Sequence, residues 1–361
     1  MKPTAQLHEF GQSLWLDNIT RTLLGDGTLQ RYRDELSITG LTSNPTIFDK
    51  AISDSDAYDD SIREHRGEGL SGEQLFFELA LEDLREAADL FRDVHERTDG
   101  VDGWVSIEVS PLLAGDARAT IEQVQTLHGH GGRPNLFVKI PGTEAGREAI
   151  EESIYAGIPI NVTLLFSTEQ YEGAAEAYLR GLERRVEAGL DAAVPSVASM
   201  FVSRWDKAVS ETVPDELRDK LGIAVAKRTY RAYRELLDSE RFQRLANEGA
   251  RPQRLLWAST GTKDPEASDV LYVESLAAPF TINTMPDKTL LAFAEHGQVG
   301  EPLPADGGDA DEVLAQFAAA GFETDELAQQ LQDEGAEAFV ESWRELLESI
   351  ESESERLAGA R

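Results

Sequence analysis

The run Leu136-Phe-Val-Lys-Ile-Pro-Gly-Thr143 decides how this chain is read. Leu136, Phe137, Val138 and Ile140 form the short apolar stretch expected of a strand buried on both faces. Pro141 and Gly142 break it, and Thr143 can cap a helix over 144–155 that Gly157 would stop. Strand, break and capped helix together make a βα unit. Lys139 is the residue that does not fit. An ammonium near the end of a buried strand is costly unless paired or neutralised. Lysine also shifts its pKa readily when desolvated, which is how an amine becomes a nucleophile toward carbonyls. Snorkelling from the strand end to solvent is the plainer explanation, and only the surrounding sequence decides between them.

Working outward, short apolar runs recur at 13–16, 38–42, 104–109, 136–140, 158–164, 196–202, 254–259 and around 280–283, separated by helical patterns. Eight strands alternating with helices predict an α/β chain folded as a (β/α)8 TIM barrel. Pro214 followed by Asp-Glu-Leu suits the first turn of a helix running past Tyr233. The 361 residues exceed a minimal barrel, which needs about 250. The surplus falls in two places. Residues 49–100 carry extra helix after the second strand, including 73–94, and residues 308–361 read as an acidic helical C-terminal extension. In that extension Phe339, Trp343, Leu346, Leu347 and Ile350 share one helical face, as expected of a helix packed on the barrel. Neither region reads as an independent unit, so 1–361 is expected to be a single domain.

Composition narrows the function. There are no cysteines, which removes disulfides and thiolate metal sites. A basic, apolar leader and any run near the roughly 18 apolar residues of a membrane span are both missing, so a cytoplasmic protein without membrane contact is expected. The net charge of −33 is extreme, with 67 acidic against 34 basic residues. A nucleic-acid backbone would be repelled by such a surface. A halophilic adaptation would account for it, since salt screens the self-repulsion of a strongly acidic, well-solvated chain; acidic drift without a salt requirement is the alternative.

Catalytic groups of a barrel gather at the C-terminal ends of its strands. Those positions hold Asp17, Asn44, Glu108, Lys139, Asn161 with Thr163, Ser199 and Ser259. Each has an ordinary explanation alone: Asp17 could cap a helix, and Thr42-Ser-Asn-Pro-Thr46 could be a polar turn. Glu108, between Ile107 and Val109, is harder to dismiss. Together they suit chemistry through an imine. A lysine attacks a ketone and loses water, and the resulting protonated Schiff base draws electrons from a neighbouring carbon–carbon bond until it breaks to an enamine. One carboxylate must take the proton from the hydroxyl beside that bond, and another must shuttle protons as the imine forms and hydrolyses. Asp17 and Glu108 are the candidates.

Several motifs occur in the order in which they stand in the transaldolase family: Trp15-Leu-Asp-Asn18, Gly40-Leu-Thr-Ser-Asn-Pro-Thr46, Val105-Ser-Ile-Glu-Val109, Val138-Lys-Ile-Pro-Gly-Thr143 and Ile160-Asn-Val-Thr-Leu-Leu-Phe-Ser167. Ser199-Met-Phe-Val-Ser-Arg204 and Trp257-Ala-Ser-Thr-Gly-Thr-Lys263 extend the match, and the chain resembles the long bacterial branch most. The resemblance implies that Lys139 forms the Schiff base. By the same likeness Asp17 deprotonates the C4 hydroxyl, and Glu108 acts as acid and base through a water that Thr163 helps hold. Asn44 and Asn161 would orient a dihydroxyacetone unit in a pocket also lined by Thr42, Ser199 and Phe201. Arg204 and Ser259 match phosphate-binding positions. Where some members carry a second arginine shortly after that serine, this chain has Lys263, which becomes the candidate for the second cation.

The implied reaction moves dihydroxyacetone from sedoheptulose 7-phosphate to glyceraldehyde 3-phosphate, giving erythrose 4-phosphate and fructose 6-phosphate in the pentose phosphate pathway. The implied partners are sugar phosphates, with no cofactor and no metal, in a monomer or homodimer. The alternative is a fructose 6-phosphate aldolase-like lyase on the same fold. That group is much shorter and tends to carry glutamine and tyrosine where this chain has Glu108 and Phe201. A non-catalytic barrel would be expected to have lost Lys139 or a carboxylate. His128-Gly-His130 reads as a glycine-rich surface turn, since no third ligand stands near it.

The charge balance makes a direct prediction. Both the thermal midpoint and the turnover rate should fall as salt is withdrawn from molar concentrations. Equal stability and rate in dilute buffer would mean that the acidic surface carries no salt requirement.

Overall fold

The computed structural model describes residues 1–359. Eight strands form its centre: β1 Ser13–Asp17, β2 Ile38–Thr42, β3 Val105–Glu108, β4 Leu136–Pro141, β5 Ile160–Leu165, β6 Ser196–Phe201, β7 Gln253–Ala258 and β8 Ile282–Met285. All neighbouring pairs are parallel, in the order β2-β1-β8-β7-β6-β5-β4-β3. The remaining edges meet through two backbone hydrogen bonds, Gly103 N–H to Thr39 O and Leu41 N–H to Trp104 O, each 2.9 Å. The expected (β/α)8 barrel is therefore present, with helices on the outside of the strands.

Side chains two apart on a strand share a face. Trp15 and Phe137 thus stand one layer below Asp17 and Lys139 and fill the barrel beneath them. The indole of Trp15 donates to Asp102 Oδ1 at 2.7 Å, and Phe137 stacks on Trp104 with centroids 4.1 Å apart. Gly40 makes this packing and the β2–β3 seam possible. A Cβ at that position would lie 2.6 Å from Trp104 O and 2.8 Å from Trp15 Nε1.

The extra helix after β2 comprises Pro45–Ser53, Asp59–Gly67, Gly72–Leu90 and Arg92–Arg97. The continuous helix expected over 73–94 is interrupted at Phe91, which leaves helical geometry (φ −93°, ψ 4°) with its ring buried. The helix expected to start at Pro214 also divides. Residues 215–217 make a single 3-10 turn, Asp219 takes a left-handed φ of 56°, and the long helix runs Leu221–Asp238. Its start lies where the Asp206 carboxylate accepts from Leu221 N at 2.9 Å and Gly222 N at 3.2 Å. Two backbone amides are capped by a distant side chain, a signal no local pattern carries. His128-Gly-His130 is not a turn: it forms the end of helix Ala117–Gly131, and the chain breaks at Gly132, at φ 59°. The last strand sits two residues later than expected, and the expected cap and stop of Glu144–Tyr155 are both present.

The acidic extension is helical, as Ala310–Ala319 and Thr324–Gly359. The second helix crosses the C-terminal end of the barrel. Trp343, Leu346 and Ile350 are buried, with Trp343 edge-on to Phe76 at 5.0 Å. Polar contacts tie it to the segment after β2: Thr46 Oγ1 to Ser342 Oγ at 2.9 Å, Ser349 Oγ to Asp49 Oδ1 at 2.6 Å and Arg356 Nη2 to Asp59 Oδ1 at 2.7 Å. No helix among the described residues is long and apolar enough to cross a membrane.

The seam yields a stability test. Gly40→Ala should lower unfolding free energy by about 1–3 kcal/mol through overpacking, read from the denaturant midpoint. Gly67→Ala, where an added Cβ meets nothing within 4 Å, is the control. Matching midpoints for the two variants would contradict this account of the closure.

Candidate active site

Lys139 is on β4, beside Glu108 of β3 in the strand register. Both side chains are 7% exposed, and Lys139 Nζ donates to Glu108 Oε2 at 2.9 Å. The ammonium also donates to the Ser43 carbonyl at 3.0 Å. It does not snorkel: the pair is closed inside the barrel. Burial pushes the Glu108 carboxyl above its ordinary range, while Lys139 pulls the other way. A carboxylate weakened as an acid in this way, in contact with the amine, is suited to exchanging a proton with it.

Asp17 ends β1 and accepts from Thr42 Oγ1 at 2.8 Å, and the same hydroxyl is 2.7 Å from Thr284 of β8. Burial raises the Asp17 pKa most, opposed by the Thr42 hydrogen bond and by Lys139. The alternative use of Asp17 as a helix cap does not arise. Thr20 caps that helix, accepting from Leu23 N at 3.0 Å. Asn44 stands at the start of the helix after β2. It caps Pro45–Ser53, accepting from Ile47 N at 3.1 Å, which commits its oxygen and orients its NH2 group.

Asn161 lies beside Lys139 in the β4–β5 register. It accepts from Ser199 Oγ at 2.7 Å and donates to Ser106 Oγ at 3.3 Å. Thr163, two residues on, is buried and its Oγ1 has no hydrogen-bond partner among the described residues. β5 bulges here: Val162 pairs with Ala198 and Leu165 with Met200, so Thr163 and Leu164 together oppose Ser199. Leu164 sits at φ 58°, a left-handed conformation that costs a branched side chain about 1–3 kcal/mol.

The cations stand on the neighbouring loops. Arg204, in the helix Ser203–Val209 after β6, lies 5.2 Å from the Phe201 ring. Burial lowers its pKa, and Glu334 of the C-terminal helix opposes that. Ser259 closes β7 at φ 55°, its hydroxyl 2.9 Å from Ser203 Oγ. The Lys263 pKa is lowered first by burial and then by the like charges of Arg204 and Lys207, while Asp17 opposes. Lys263 thus feels the positive charge of both Arg204 and Lys207, a local concentration of cations in a chain of net charge −33.

Of the residues singled out from the sequence, register and hydrogen bonds bring Lys139 beside Glu108 and Asn161, Asn161 beside Ser199, and Asp17 beside Thr42, while Arg204, Ser259 and Lys263 stand on the segments that follow β6 and β7. Sequence reasoning missed Ser43, Ser106, Thr284, Lys207 and Gln332. Lys207 was legible, since it follows Arg204 by three positions in one helix. Thr284 was lost with the misplaced last strand. Gln332, whose Nε2 donates to Leu164 O at 2.9 Å, lies in an acidic helix that gives no local sign of reaching the barrel. His128 and His130 take no part, and no group of three or more potential metal ligands occurs among the described residues.

Comparison with known proteins matches the same body of chain. The family described as Transaldolase/Fructose-6-phosphate aldolase matches residues 14–350. A Transaldolase of Thermobifida fusca is 44% identical over 96% of this chain and 97% of its own length. One of Saccharopolyspora erythraea is 43% identical over 95% of each, and one of Thiobacillus denitrificans 43% identical over 97% of this chain and all of its own. On matches of this length and identity, the chain belongs to the transaldolase and fructose-6-phosphate aldolase family.

Proposed function

We propose that this protein is a transaldolase working through a Schiff base on Lys139, within one domain that includes the C-terminal helix. The observation that carries the reading is the enclosed pair of Lys139 and Glu108, 2.9 Å apart. Glu108 takes a proton from the ammonium, and the free amine adds to the C2 ketone of a sugar phosphate. The carbinolamine loses water, with Glu108 returning the proton that makes hydroxide a leaving group. Asp17 then removes the proton of the C4 hydroxyl. The C3–C4 bond breaks, its electrons flow to the iminium nitrogen, an aldehyde departs, and a dihydroxyacetone enamine stays on the lysine. The enamine adds to the acceptor aldehyde, Asp17 gives its proton back to the new hydroxyl, and water hydrolyses the imine.

The remaining residues serve binding. Asn44 and Asn161 offer amides to the hydroxyls of the three-carbon unit, with Thr42, Ser199 and Phe201 around it. Arg204, Ser259 and Lys263 hold the phosphate. The donor is sedoheptulose 7-phosphate and the acceptor glyceraldehyde 3-phosphate. The relatives' names favour this transferase over the lyase. Glu108 and the burial of the Lys139–Glu108 pair support it too, since an enamine kept from bulk water waits for an acceptor.

Borohydride reduction with fructose 6-phosphate, followed by peptide mass analysis, should place a dihydroxyacetone adduct on the peptide containing Lys139. Lys139→Ala should lose that adduct and at least about a thousandfold in turnover. A folded Lys139→Ala variant that keeps its activity would sink the assignment.

Asp17→Asn should still trap the adduct from dihydroxyacetone itself, which needs no bond cleavage. Its kcat for transfer should fall about 100- to 10,000-fold, the worth of a positioned base. Loss of trapping together with transfer would show that Asp17 acts in imine formation instead.

A further inference from the structure

The β5 bulge is held from outside the barrel. Leu164 turns its carbonyl out of the regular ladder, and the donor that meets it is Gln332 Nε2 at 2.9 Å, from the C-terminal helix Thr324–Gly359. A longer contact runs from the same nitrogen to Gly142 O at 3.4 Å, at the end of β4. Gln332 is buried, at 5% exposure. Three residues along, Gly335 allows the helix to come this near: a Cβ there would lie 3.0 Å from Leu164 Cδ2 and 3.1 Å from Arg204 Nη1. The helix thus touches both the bulge and the phosphate arginine.

The bulge matters because of what it carries. Thr163 shares the interior face with Asn161 and, through the strand register, with Lys139. Its hydroxyl is buried and unpartnered, so it is available to a water or substrate atom beside Glu108 and Lys139. The Thr163 carbonyl is fixed by Gly142 N at 2.7 Å. The following peptide adopts a left-handed geometry that Leu164 would not choose unaided. A strained conformation persists only when its surroundings over-determine it, and the Gln332 hydrogen bond is the polar part of those surroundings.

We propose that Gln332 is a positioning residue for the reaction at Lys139, holding the Leu164 carbonyl so that the bulge keeps the Thr163 hydroxyl facing the Schiff-base lysine. This rests on the imine reading above. The C-terminal helix is then part of the catalytic apparatus rather than a cover. The step affected is proton transfer during imine formation and hydrolysis, where a held water is needed, and not phosphate binding.

The test is a double-mutant cycle with a pH arm. Gln332→Met keeps length and volume but removes the donor. It should lower kcat about tenfold, the low end of what displaced catalytic groups cost, with donor KM within about twofold. Thr163→Val should slow borohydride-trappable imine formation, and Gln332→Met added to it should cost little more, since residues acting as a unit are not additive. Gln332→Glu can donate only when its carboxyl is protonated. Its deficit relative to wild type should therefore shrink as pH falls toward about 5. Wild-type kcat in Gln332→Met, or multiplicative losses in the double variant, would overturn the proposal. If Gln332→Met does not fold, the Gln332→Glu profile decides, and a deficit unchanged with pH rejects the role. Failure of the imine reading itself would look different: no adduct on Lys139 in the wild-type protein.

Discussion

An ammonium and a carboxylate enclosed together, 2.9 Å apart and each 7% exposed, set the terms for everything around them. Removing two ions from water costs several kcal/mol apiece even after relaxation, and their attraction offsets that only with good geometry and further hydrogen bonds. The barrel supplies both. Adjacent strands bring Glu108 and Lys139 into register, the Ser43 carbonyl takes a second ammonium hydrogen, and large side chains below exclude water. The same enclosure that makes the pair expensive raises the carboxyl pKa. Stability is given up where a carboxylate and an amine are held in contact.

That enclosure depends on apparently minor residues. Trp15 and Phe137 plug the barrel one layer beneath the site, and the plug fits because Gly40 contributes no side chain. The seam between β2 and β3, closed by two backbone hydrogen bonds, brings Ser43 and Ser106 together: Ser43 Oγ donates to the Ser106 carbonyl at 2.9 Å. Ser106 Oγ in turn accepts from Asn161. A line of contacts therefore runs from the barrel closure to the side chains around Lys139, and packing and chemistry share residues rather than occupying separate regions.

The architecture was legible because a parallel barrel writes its strands as short apolar runs, and a polar residue at the end of such a run is conspicuous. Asp17, Glu108, Lys139, Asn161 and Thr163 all stood out for that reason. Boundaries were less legible where long-range contacts determine them. The helix Leu221–Asp238 begins where Asp206 caps it, and 73–94 is divided where Phe91 turns its ring inward. His128 and His130 were misjudged because glycines within a helix end resemble a turn in composition. Gln332 was invisible: its partner is a carbonyl 168 positions earlier, and a glutamine in an acidic amphipathic helix has no local mark. The approach of Lys263 to Arg204 and Lys207 likewise needs the fold, which brings the segments after β6 and β7 together.

The separation of Gln332 from Leu164 has a consequence for how the protein is made. Ribosomes deliver the chain from its N-terminus, so all eight strands, the last ending at Met285, emerge before the helix that starts at Thr324. Throughout that interval the nascent barrel can close its ladder and bury its lysine, yet the Leu164 carbonyl has no Gln332 to meet. Closure of the barrel and arrival of the contact at Leu164 are thus separate events in time. A buried lysine spends its first moments with its surroundings unfinished.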